Sequence, residues 1–488
     1  MKHGEWMGLN SLMFHVLILA GAVILSAFCL LGNYVFKDFV GSGQINEHFV
    51  LYASFLLVCF GLSEYYRYFI CFNYFLDRFL WLACFCLACS LHLFCESGAL
   101  RSAEVLILLT GFVLAGGTKL SVSRFHKPHC FRRFLYFWSG IFLIILVSGE
   151  MYFLPVATIY QYHGQLRWSG IWESPNVFGI LMGVGVVIAC SILWRHSREM
   201  PVEAQVKDES YKIRNDQIAE KMFWVTVVFI ALVAGGLATG LFMSQSRGAW
   251  IATIIALCFL SQRVILCSSS NSKSLLPGAC VLWLKRNVFA VWVVFASVAI
   301  LCFWEFRQTN WQPAQRAFSA TKMVDFSWRN RLAGWEGTLQ ITAEHPWYGA
   351  GWKHPELLYE NFYMPRKLPE FAAIETNDYL LLGSALGVPA LFCFGMYVWL
   401  TLSGNRYQGP RPWVFGSGAE KRQAEGEFFE VDWLRATCHA GAIVLLAGFW
   451  FDGGLLKLPT AATFWILLEL GACAPCESDP LLVADAQA

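Results

Sequence analysis

An all-α, polytopic membrane bundle of about twelve helices, with one long loop domain on its outer face, is the fold this sequence predicts. Three observations lead there. The chain is 57% hydrophobic and only 14% charged, against roughly 25% charge in a soluble chain. Its mean hydropathy is +0.50, too apolar for a core shielded from water. Basic residues crowd alternate short loops, as bilayer topology requires.

The spans are counted as runs of roughly 17–25 apolar residues. They fall near 12–32, 48–64, 78–95, 103–118, 134–156, 175–194, 222–242, 248–266, 287–305, 378–402, 434–450 and 459–473. The first is long enough to cross a bilayer and has no Ala-x-Ala site behind it, so it reads as a span rather than a cleavable signal. Glu64, Arg67, Asp77 and Arg78 interrupt the region of the second to fourth. Four loops are basic, carrying for example Arg132 and Arg133, Arg195 and Arg198, Lys285 and Arg286, and Lys421 and Arg422. The intervening short loops hold about one basic residue each: Lys37, Arg101, Arg167, Arg247 and Lys457. Both termini are therefore expected in the cytoplasm and Arg247 on the outer face.

Four segments follow: N-terminal helices 1–160, a core 161–405 that includes an outer loop 306–377, a cytoplasmic loop 406–433, and C-terminal helices with a tail, 434–488. The outer loop is too polar to span and holds five Trp. Its basic residues depart from the positive-inside trend, but long loops translocate largely regardless of charge. Leu332, Trp335 and Leu339 have helical spacing.

A net charge of +2 gives no reason to expect nucleic acid as a partner. Most of the 17 cysteines sit inside apolar runs, where the thiol behaves as a small hydrophobe. Cys473-Ala474-Pro475-Cys476 has redox spacing but no βαβ surroundings. Neither a His-Glu-x-x-His pattern nor a Walker loop is present. No metal, cofactor or ATP is expected.

Arg247 allows two readings. It snorkels to lipid headgroups, or it receives an anion. Ser327-Trp328-Arg329-Asn330-Arg331 adds two guanidiniums on the same face. Arginine is the side chain suited to bidentate phosphate recognition, so Arg247, Arg329 and Arg331 with Lys353 suit a diphosphate at the membrane surface. Trp328, Trp335, Trp347 and Trp352 either stack on sugars or form the interfacial aromatic belt. In Glu375-Thr376-Asn377-Asp378 a carboxylate is a candidate general base. Alternatively Thr376 or Asn377 caps a helix and Asp378 favours its dipole. Arg167 with Glu173-Ser174-Pro175-Asn176 forms a further polar outer site, and His163, His345 and His354 share that side. Gly349-Ala350-Gly351 reads as a turn.

These pieces, in this order, resemble the O-antigen ligase and Wzy-type O-antigen polymerase superfamily. The likeness rests on Ser246-Arg247-Gly248-Ala249-Trp250, on Arg331 with Trp335, on Glu344-His345-Pro346-Trp347-Tyr348-Gly349-Ala350-Gly351, on Asn377-x-Tyr379-Leu380 before Leu386-Gly387-Val388-Pro389, and on Ser174-Pro175-Asn176-x-x-Gly179. It covers roughly residues 170–405. The resemblance implies a metal-independent, inverting glycosyltransferase of the bacterial inner membrane. Such an enzyme moves a glycan from a polyprenyl diphosphate carrier to a hydroxyl of a lipid, a glycan or a protein, outside the cytoplasm. It also implies that Arg247 and Arg331 hold the diphosphate, helped by Arg329. Arg167, Asn176, His345 and Lys353 are further candidates. The family's usual His before the Asn is Thr376 here, and threonine accepts no proton at neutral pH. Either Glu375 or Asp378 then takes the role, or the loop brings His345 or His354 there, or the chemistry is lost; Glu375, Asn377 and Asp378 are the expected catalytic group, with Glu375 as the base. The rival expectation is a transporter or flippase of lipid-linked glycan, which would place ionisable residues near helix midpoints. A non-catalytic export subunit is the third.

Overall fold

The computed structural model describes residues 159–162, 165–172, 174–196, 209–270, 326–352, 354–365, 377–403, 418–451 and 453–472, together with parts of 81–146. The expected spans 12–32, 48–64 and 287–305, and the Cys473–Cys476 motif, lie outside them. In chain order the elements are β1 (Ile159–Tyr162), β2 (Gln165–Trp168), a 3-10 turn (Gly170–Trp172), α1 (Pro175–His196), α2 (Glu209–Met243) and α3 (Arg247–Ser270). Then come α4 (Phe326–Glu344), α5 (His354–Leu358), a π-turn (Tyr359–Tyr363), α6 (Asp378–Leu386), α7 (Val388–Ser403), α8 (Gly418–Phe451) and α9 (Leu458–Ala472).

The described part is mostly helical. Among its helices, α1, the Trp224–Met243 part of α2 and the Trp433–Phe451 part of α8 are long and apolar enough to cross a membrane. α1 starts at Pro175, whose missing N–H costs nothing in a first turn. It is apolar all round and buried nearly all round: Phe178, Ile180, Leu181, Met182 and Val184 are fully enclosed. Two glycines let its neighbours in. A Cβ on Gly183 would lie 2.3 Å from the Thr253 hydroxyl of α3, and one on Gly179 would lie 2.6 Å from Ser244 Oγ. α2 is the opposite case. Trp224, Val228, Phe229 and Leu232 are exposed along it, as on a helix with lipid for its solvent. Wrapped on α1 are α3, α8 and α9, with Phe449, Phe464 and Trp465 in the common core.

Three findings differ from the expected fold. First, β1 and β2 form a short antiparallel hairpin, Ile159 opposite Trp168 and Tyr162 opposite Gln165, a small addition to a mostly helical fold. Second, the run 378–402 is not one helix. It breaks at Gly387, whose φ is 88°. Pro389 just beyond lacks an N–H for the continuing ladder. The loop after α4 satisfies the groups the break leaves over. Ala350 N–H donates to Ser384 O (2.7 Å), Gly351 N–H to Ala385 O (3.0 Å), and Val388 N–H to Pro346 O (2.8 Å). Buried backbone groups left unpaired would each cost several kcal/mol, so the loop and the break are one structural unit. Gly349-Ala350-Gly351, expected as a turn, instead follows the turn at 346–348 and forms the surface on which α6 ends. Third, helix α8 begins at Gly418, inside the expected loop 406–433.

A carboxyl also lies in the core. Glu469 of α9 is fully buried, and Tyr397 of α7 donates its hydroxyl to it. Nearby in the same helix layer, Ser191 and Thr437 share a 2.5 Å hydrogen bond.

Candidate functional site

One end of the bundle gathers the start of α1, the α2–α3 turn, the start of α6 and the α8–α9 connection. Four side-chain groups there are set by local sequence.

The α2–α3 turn is the first. Ser244 N–H and Gln245 N–H still bond back to Gly240 O and Phe242 O, at 2.9 and 3.1 Å, so α2 ends through a tightened last turn. Gln245 takes φ 51°, the only left-handed non-glycine among the described residues. Ser246 then caps α3, its Oγ accepting from Ala249 N–H at 3.2 Å. Ser244 Oγ accepts from Ser246 N–H at 3.2 Å and donates to Leu241 O at 2.6 Å. Trp250 reaches back to donate to Leu241 O at 2.9 Å and stacks on Phe242. Arg247 is thus the first residue of a capped helix and half-buried. Its position adds the N-terminal dipole to its own charge, and both favour an anion.

The second group is Arg167, at the end of the hairpin and only 7% exposed. Its Nε donates to Ser244 O (2.9 Å) and its Nη2 to Asn176 Oδ1 (2.8 Å). The structure therefore joins Arg167, Asn176 and the Ser244–Arg247 turn in one cluster. The sequence marked Arg167 and Asn176 as polar outer residues without revealing this junction.

The third group begins α6. Asn377, fully buried, is its N-cap: Oδ1 accepts from Tyr379 N–H and Leu380 N–H, each at 3.1 Å. That double acceptance fixes which way the amide is turned. Its Nδ2 has no protein partner among the described residues. Asp378 is 2% exposed, and its Oδ2 accepts from Leu455 N–H at 2.7 Å across the α8–α9 connection. Tyr379 donates to Leu446 O at 2.7 Å. The capping alternative for this motif is what the structure contains, with Asn377 rather than Thr376 as the cap. Glu375, Thr376 and Lys353 lie outside the described residues, as does His163.

The fourth group is the described part of the long loop. α4 packs on α6 and on the π-turn. Gly337 lets it approach, since a Cβ there would meet the Tyr359 ring at 2.4 Å. Ile341 and Tyr359 form a small core of their own with Leu358, Met364 and Leu381. The hydrogen bond between Tyr363 and the Glu344 carboxylate, helped by some burial and by that charge, raises the Tyr363 hydroxyl above its usual pKa. Arg329 is exposed, Arg331 half-buried and His345 exposed. Arg331 thus stands on α4, which packs on α6, whereas Arg247 heads α3. The tryptophans separate by burial. Trp347 is 72% exposed, while Trp352 is 8% exposed and Trp335 packs edge-on against Trp328 and Trp450. Trp450 also meets Tyr379, which ties α4 to the head of α6.

Among the described residues no three His, Cys, Asp or Glu side chains converge as metal ligands do. The turn residues Ser244 and Gln245 escaped sequence reasoning. Ser two places ahead of a Gly-Ala pair hints at a cap, but nothing local signals a left-handed glutamine.

A family model for O-antigen ligases matches residues 228–395. That segment runs from α2 to α7 and contains Arg247, Arg331 and Asn377; Arg167 and Asn176 precede it. No curated protein matches the chain.

Proposed function

We infer, for a chain whose residues 228–395 match a family model for O-antigen ligases, a membrane glycosyltransferase that uses a polyprenyl-diphosphate-linked glycan. Its apolar helices and that match both support a bacterial membrane protein. The observation that carries the reading is Arg247. A permanent cation, half-buried, heads a Ser246-capped helix inside the matched segment, at one end of the helix bundle.

In this reading the carrier approaches from the outer leaflet of the inner membrane. Arg247 and Arg331, helped by Arg329, pair with its diphosphate, and His345 and Lys353 are further candidates for that role. The bond between the anomeric carbon and the phosphate oxygen breaks, and its electron pair leaves with the diphosphate. Fixed guanidiniums stabilise the charge that develops there. An acceptor hydroxyl of lipid, glycan or protein forms the new bond from the opposite side, inverting the anomeric centre. Glu375 takes the hydroxyl proton. Asn377 caps α6 and Asp378 anchors its first turn to the α8–α9 connection. Cleavage of the glycosyl–phosphate bond, with the carrier diphosphate as leaving group, drives transfer with neither metal nor nucleotide.

The test is a deletion strain complemented with the wild-type gene or with Arg247→Ala, its polymers and carrier-linked glycans resolved on a gel. Wild type is expected to restore the long glycan product, and the variant to reach the membrane without restoring it. Single repeats left on the carrier would identify a polymerase; long chains stranded on it would identify a ligase. A normal product from the variant would exclude Arg247 from the chemistry.

One observation favours the rival transporter reading. The buried Glu469–Tyr397 pair is an ionisable site inside the helix layer. A flippase predicts carrier-linked glycan trapped on the cytoplasmic face in the deletion strain, whereas the transferase predicts it on the outer face.

A further inference from the structure

The hairpin β1–β2 has strands of four residues each, too short to persist unless docked. Its docking point is Arg167. The guanidinium is buried, and a buried permanent charge survives only where its donors find acceptors. Two of those acceptors belong to different helix ends: Ser244 O closes α2 and Asn176 Oδ1 opens α1. One planar group therefore spans the junction from which Arg247 emerges.

Ser244 is the pivot. Its carbonyl is held by Arg167, its hydroxyl accepts from Ser246 N–H, and Ser246 caps the helix that Arg247 begins. From the other side Gly179 of α1 leaves room for the same hydroxyl. Between Ser244 and Ser246, Gln245 adopts its left-handed conformation. Such a conformation persists only where the surroundings over-determine it. A shift at Ser244 passes through two residues to Arg247.

We propose that Arg167 is the positioning residue for Arg247: through its buried guanidinium the hairpin sets the α2–α3 turn and thereby the pose in which Arg247 meets a lipid-linked diphosphate. The proposal rests on the diphosphate reading of Arg247. It gives the hairpin a task, as a brace at the membrane surface rather than a contact to the carrier. Lysine is no substitute, because an ammonium on a flexible stem cannot hold two acceptors in one plane.

The experiment is a double-mutant cycle on the full chain in lipid nanodiscs, reading the affinity for undecaprenyl diphosphate by native mass spectrometry. Arg247→Ala is expected to weaken binding about tenfold, as loss of one charged hydrogen-bonding partner does. Arg167→Gln is expected to weaken it about fivefold beside Arg247 and less than about twofold once Arg247 is alanine, the signature of coupled sites. Arg167→Lys should behave like the glutamine variant. Asn176→Ala leaves the arginine in place and loosens it, so it should show the same dependence on Arg247 more weakly. This milder variant keeps the cycle readable if Arg167→Gln fails to assemble. Equal losses with and without Arg247, or full rescue by lysine, would overturn the proposal and make Arg167 a direct ligand or a general prop. An Arg247→Ala variant with unchanged affinity would sink the diphosphate reading itself, and the proposal with it.

Discussion

Gly349→Ala tests the unit formed by the long loop and the α6–α7 break. Gly349 has φ 67°, a conformation that costs an alanine about 1–2 kcal/mol. The added Cβ would sit 2.3 Å from both the carbonyl carbon and the oxygen of Ala385. Those atoms are backbone and cannot swing aside, so the loop has to retreat by about 1 Å to reach an ordinary contact. That retreat pulls on the bonds from Ala350 N–H to Ser384 O and from Gly351 N–H to Ala385 O. Each is worth about 0.5–1.5 kcal/mol net. The expected destabilisation is about 2–5 kcal/mol in all. Gly395→Ala is the internal control. It lies in α7 with nothing within 4 Å of its would-be Cβ, and alanine there favours helix by up to about 1 kcal/mol. Both variants would be heated in detergent and the surviving folded fraction measured by size exclusion. Gly349→Ala should melt several degrees below wild type and Gly395→Ala at or slightly above it. Coincident midpoints for the two variants would refute the idea that the loop is backbone-locked onto the break.

Three further outcomes are expected. Ser246→Ala removes the cap of α3 and should cost about 1 kcal/mol, lowering the melting midpoint and weakening carrier binding together; a drop in stability alone would mean that the cap does not orient Arg247. Asp378→Ala strands the buried Leu455 N–H and should cost about 1–3 kcal/mol, while Asp378→Asn keeps an acceptor oxygen and should retain transfer. A stable but inactive Asp378→Asn would instead give the carboxylate a chemical role. Gly179→Ala puts a methyl 2.6 Å from Ser244 Oγ, an overpacking of about 1–3 kcal/mol, and should impair carrier binding with Arg247 still present; unaltered binding would show that the turn tolerates displacement.

Composition and apolar run length determined the membrane class, because burying so many apolar side chains needs lipid or a helix layer on every side. They also located helices closely: the run 175–194 became Pro175–His196, and 459–473 became Leu458–Ala472. The motif Ser246-Arg247-Gly248-Ala249-Trp250 told which family to expect, and Asn377 was among the candidate caps. Short-range chemistry of this kind is written in neighbouring residues. What the sequence left undecided depended on partners far along the chain. The break at Gly387 is tolerable only because Pro346, Ala350 and Gly351 arrive to pair with it. The sequence offers Asp378 as a base or as a charge favouring the α6 dipole, and its bond from Leu455 N–H, 77 positions on, is visible only in the tertiary structure. The hairpin is too short and too polar to announce itself, and the acceptors that meet buried Arg167 include Ser244 O and Asn176 Oδ1 from two other elements. Glu469 is a single carboxylate in an apolar run, and only the fold shows that it is buried and bonded to Tyr397. Hydropathy carries no information about which distant backbone group will meet a given side chain, so only tertiary packing decided how the polar end of the bundle is assembled.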